Sequence, residues 1–182
     1  MATTAVSIGG SVLAITAFVP LGKWLGATPL SHAARTALNA FPWLAPTSET
    51  LHILALTTLF ASAAILHLRV LGAVGQDRPL GPLARRLLPL IWTALVVLLL
   101  TGGLLVVNRP GRYFRSDTFL IKMALLLLSV AWTLVLQFGF SRDPGFWERT
   151  RARLLTARGG AVAALILWSG VVIAGRWIAY AP

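Results

Sequence analysis

Polar residues are scarce along this chain and gather in clusters, leaving five stretches that are almost wholly apolar. A helix needs about twenty apolar residues to cross the hydrocarbon core of a bilayer. The pattern predicts spans over 5–22, 47–71, 86–108, 118–140 and 159–180. The first, "AVSIGGSVLAITAFVPLG", is short and rich in small residues, like a signal peptide. The "MATT" before it carries no basic residue, so an uncleaved helix is expected. Between the first two spans, "ATPLSHAARTALNAFPWLAP" sets Leu30, Ala33, Ala34, Ala37 and Leu38 on one side. That spacing predicts an amphipathic helix over about 28–42, lying along the membrane interface. Thr47, Ser48 and Glu49 follow Pro46 and read as the N-cap and acidic first turn of the second span. Ser116 and Asp117 open the fourth in the same way. Small residues at Gly102, Gly103, Ser169, Gly170 and Gly175 mark places where helices approach closely. The expected fold is an all-α integral membrane bundle of five spans plus the interfacial helix, forming one domain over 1–182.

Composition agrees. The chain is 57% hydrophobic and 12% charged, with a mean hydropathy of +0.80, against roughly a quarter charged in soluble domains. It has no cysteine, which excludes disulfides, iron–sulfur clusters and thiolate zinc sites. The net charge of +11 comes from sixteen basic residues set between the apolar runs. Anionic lipid head groups are their expected counterpart, and nucleic acid is not. Other membrane subunits, or a second copy of the chain, are the expected protein partners.

Short connections make consecutive spans antiparallel, which sorts the charges by side. One side collects Lys and Arg at positions 23, 35, 109, 112, 115, 122 and 176, together with His52 and His32. The other has 69, 78, 85, 86, 142, 149, 151, 153 and 158, together with His67. Nine against seven places the second side in the cytoplasm of a bacterial inner membrane, with the N-terminus inside and the C-terminus outside.

Lys122 and Arg176 each lie about one turn inside a span, where charge is expensive. Either they snorkel to head groups, or they form a basic pocket with Arg112 and Arg115 that opens outward. Such a pocket suits haem propionates, a quinone, a lipid phosphate or another anion. His52 and His67 lie fifteen residues apart on one helix, which is about 22 Å of depth. No other span carries a histidine, so two bis-histidine haems are excluded. A single haem b leaves His52 with His32 or Met123 as axial ligands. His67, beside Arg69, is expected to be a solvated helix-end residue favoured by the helix dipole. Nothing marks the chain as an enzyme on its own. There is no Gly-x-Ser-x-Gly, no metalloprotease His pair and only five carboxylates, and two methionines make a poor copper(I) site.

"ATPLS", "ETLHILAL", "LRVLG", "ARRLLP", "TGGLL", "FLIKMALLLL" and "LWSGVVIAGRWIAY" occur in this order over roughly 27–180. Together they resemble DUF6644, a family of small bacterial membrane proteins. The resemblance implies a membrane protein of four to five helices and no established activity. It places His52, Lys122 and Arg176 in matched segments and departs at His67, where the family context favours aspartate. A looser likeness to cytochrome b561-type and CopD-type helices rests on architecture and one histidine.

Overall fold

The structure is a computed structural model that describes residues 9–76 and 79–178, with the backbone alone over 9–17. The described residues form helices and connections, with no strand. The helices are α1 (Gly9–Gly26), α2 (Pro29–Ala40), α3 (Leu44–Leu71), α4 (Leu80–Asn108), α5 (Pro110–Tyr113), α6 (Asp117–Arg142) and α7 (Arg151–Trp177). Four of them, α3, α4, α6 and α7, are long and apolar enough to cross a membrane. The first expected span begins outside the described residues. Its described part is α1, which contains Pro20 and is not among the four.

The helix starts differ from expectation for identifiable reasons. Pro46 and Pro82 both fall in first turns, where a missing N–H breaks no hydrogen bond. So α3 begins at Leu44, with Trp43 rather than Thr47, Ser48 or Glu49 at its cap, and α4 begins at Leu80, six residues before the expected span. Helix α7 starts at Arg151 because Thr150 caps it, accepting from the Arg153 N–H at 3.3 Å. Ser116 caps α6 as the sequence suggests, accepting from the Phe119 N–H.

The bundle follows from which faces carry small side chains. Helix α3 packs most closely on α4 and next on α7, while α7 packs on α6. Ala157, Ala161 and Ala164 of α7 are fully buried, and Ala55, Ala63, Leu59 and Leu66 of α3 are buried with them. In lipid there is no gain from burying one apolar surface against another, so helix contact rests on close packing. Leucine and isoleucine faces at Leu100, Leu127 and Ile166 point outward, as lipid contact requires. Two hairpins result, α3–α4 and α6–α7, joined through α3 and α7. One further link crosses between them. The Trp92 indole N–H of α4 donates to Gln137 Oε1 of α6 at 2.5 Å.

One end of the bundle holds the α3–α4 turn and the α6–α7 loop and is called the hairpin end. Helix α3 stops there at Gly72, whose φ of 81° is open to glycine. The Ala73 and Gly72 N–H groups bond back to Leu68 and Arg69 in a Schellman arrangement. At the other, the α2 end, α2 and α5 gather against α4. Ser31 donates to the Val107 carbonyl at 2.9 Å, and Arg35 Nε to that of Asn108 at 3.0 Å. Helix α2 turns Ser31 and Ala34 inward and leaves Leu30 and Ala33 exposed. The reason is that anchor: serine and arginine find backbone acceptors at the end of α4 and fix the helix rotation.

Candidate functional site

His52 stands on the third turn of α3, facing α4. Its Nδ1 lies 2.8 Å from Thr101 Oγ1. The Thr101 hydroxyl donates to the Val97 carbonyl at 2.7 Å, so its oxygen is left to accept from the His52 Nδ1–H. Gly102 makes room for the ring. A Cβ added there would stand 3.1 Å from His52 Cε1, while one at Gly103 would meet nothing within 4 Å. Of the glycine pair, Gly102 alone serves a close approach.

Lys122 reaches this region from α6. Its stem lies across Gly175 of α7, where a Cβ would stand 3.4 Å from Nζ and 3.5 Å from Cε. It is partly buried. A snorkelling lysine would run along its own helix toward head groups. This one crosses a neighbour, over the residue without a side chain. Arg176 is exposed.

Arg112 sits elsewhere at the same end. It lines a cavity of about 330 Å³ with Arg35, Asn39, Asn108, Arg109 and Gly111. Arg115 is exposed between α5 and α6. The single basic pocket drawn from sequence is thus two groups: an arginine-lined hollow between α2, α4 and α5, and the His52–Thr101–Lys122 group within the spans. Thr101 and Asn39 were not singled out from sequence, whereas Gly175 was read as a place of close helix approach and Arg35 only as one of the charges on this side. Thr101 leaves a usable signal, being a hydroxyl residue beside a double glycine on the histidine side.

His67 corrects the sequence reading most sharply. It is 0% exposed. Its Nδ1–H donates to the Ala63 carbonyl at 2.6 Å, and Nε2 has no hydrogen-bond partner. It is a core residue of α3, not a solvated helix end, because its position continues the buried stripe of Leu59, Ala63, Leu66 and Val70. Of the haem ligands considered with His52, His32 is exposed on α2. Met123 follows Lys122 and lies about 100° around α6 from it. Among the described residues no three or more His, Cys, Asp or Glu come together.

A family model matches residues 37–181, from the end of α2 through α7, and so takes in His52, Thr101, Lys122 and Gly175. The chain belongs to DUF6644, a family of unknown function. Ser31 and Arg35, which anchor α2, fall outside the matched region. Neither a curated protein nor a solved structure matches the chain.

Proposed function

We propose that the protein binds the oxygen-bearing head of a lipid-soluble molecule at the α2 end, between His52 and Lys122, with a quinone as the fitting class. The observation that carries this is the course of Lys122 off its own helix and over Gly175, at the same end of the bundle as His52. An ammonium offers three donors and the imidazole another, and carbonyl or carboxylate oxygens suit both. The flanking spans supply an apolar path for a lipid tail. The role read from this pair is holding a ligand, with any electron transfer left to a partner. A quinone is preferred to haem b because the second axial ligand would have to come from exposed His32 on α2, or from Met123, about 100° around α6 from Lys122.

Titration of the detergent-purified protein with a short-chain ubiquinone tests this. Saturable binding is expected, with Lys122→Met and His52→Ala each weaker by at least tenfold, about 1.4 kcal/mol. Equal binding by wild type and both variants would overturn it.

A second reading, an accessory subunit of a larger membrane complex, draws support from α3. Thr47, Thr50, Thr57 and Thr58 are exposed on it, and each hydroxyl bonds to the carbonyl four residues back. They give α3 a surface that another helix can approach closely. The chain lacks cysteine, so a single Thr57→Cys reports cleanly. Crosslinking to a second subunit in native membranes is expected, and a purely monomeric product argues against this role.

A further inference from the structure

The hairpin end carries a second feature, unrelated to His52. Leu134, Val135, Phe138 and Gly139 of α6 and Phe146 and Trp147 of the following loop line an apolar groove of about 460 Å³. Its shape depends on Gly139, because Trp147 lies directly on that glycine and any side chain there would collide with the indole. The indole N–H is spent on the Leu136 carbonyl at 3.1 Å, so the tryptophan gives the groove an apolar wall. Leu134, Val135 and Phe138 are exposed on a membrane-crossing helix, so what fills the groove comes from the bilayer.

Its rim is cationic in a specific way. Arg142 Cζ lies 4.1 Å from the centre of the Phe138 ring, and Arg153 Cζ lies 4.2 Å from that of Phe146. Both phenylalanines lining the groove thus carry a guanidinium over their faces. The carboxylates nearby are engaged with other arginines: Asp143 with Arg149 at 2.8 Å and Glu148 with Arg69 at 4.0 Å. Arg142 ends α6, about 12 Å beyond Leu134 along the helix, so a chain lying in the groove would bring its head group to the guanidiniums.

We propose that this groove binds one anionic phospholipid, its acyl chain along Phe138, Gly139 and Trp147 and its phosphate between Arg142 and Arg153. Guanidinium groups favour phosphate through paired N–H donors, and the cation–aromatic contacts hold them in place.

Native mass spectrometry of the delipidated full chain tests it, with phosphatidylglycerol and phosphatidylcholine of matched acyl chains as probes. One phosphatidylglycerol should be retained at least tenfold better than phosphatidylcholine. The Arg142→Gln/Arg153→Gln double variant should lose that preference, and Arg85→Gln/Arg86→Gln, exposed at the same end, should keep it. Val135→Trp, which fills the groove and leaves the charge unchanged, should release both lipids. Equal retention of the two lipids by the wild type, a preference that survives the Arg142/Arg153 change, or a dimer that covers the groove would each overturn the proposal.

Discussion

Adjacent glycines in α4 meet different surroundings, and that difference is measurable. Gly102→Ala sets a methyl against the His52 ring, and a destabilisation of about 1–3 kcal/mol is expected from overpacking. Gly103→Ala meets open space and should be neutral or stabilising by up to about 1 kcal/mol, since alanine favours the helix. Reversible unfolding in detergent would separate them, and equal effects would mean that His52 does not pack where described. His67 gives a second contrast. It is fully buried with one ring nitrogen unpartnered. His67→Asn leaves a void beside polar atoms and should cost about 1–3 kcal/mol, whereas His67→Leu should stay within about 1 kcal/mol of wild type. The reverse order would show that Nε2 has a partner. His52 and Lys122 were legible as candidates because charge and imidazole in apolar runs stand out. The fate of His67 was not. Polarity and nearness to a helix end favour solvent, and only the rotation of α3 against α4 and α7 decides otherwise.

Helices were readable from apolar run length, and their ends less so. Run length records where side chains turn polar, while the backbone continues until a cap or a turn stops it. At α7 the arginines from Arg151 to Arg158 are polar and still helical, so the helix begins eight residues before the apolar run. Lateral pairing was the least legible feature, because leucine faces lipid and leucine equally well. The Trp92–Gln137 bond is the clearest test of that pairing, since α4 and α6 otherwise barely touch. Trp92→Phe and Gln137→Leu should each cost about 0.5–2 kcal/mol and be non-additive together. Additive effects would mean that the two helices do not meet there.

For the molecule as a whole, the charge balance gives an orientation that a cysteine-free chain lets one probe directly. With Gly145→Cys in the α6–α7 loop and Gly111→Cys at the α2 end, a membrane-impermeant maleimide should label position 111 in intact cells and reach 145 only after lysis. The opposite pattern would invert the topology. The two-hairpin plan reaches further than static packing. Each hairpin closes on its own sequence-adjacent partner, and the contacts between the two are made by α3 with α7 and by α4 with α6, away from the short segment 114–116. Helices stable across a bilayer can associate after insertion. The gene can therefore be cut in two at that segment and the halves produced from separate messages. The fragments should meet in the membrane and co-purify, and failure to do so would show that synthesis in one piece is part of how this bundle assembles.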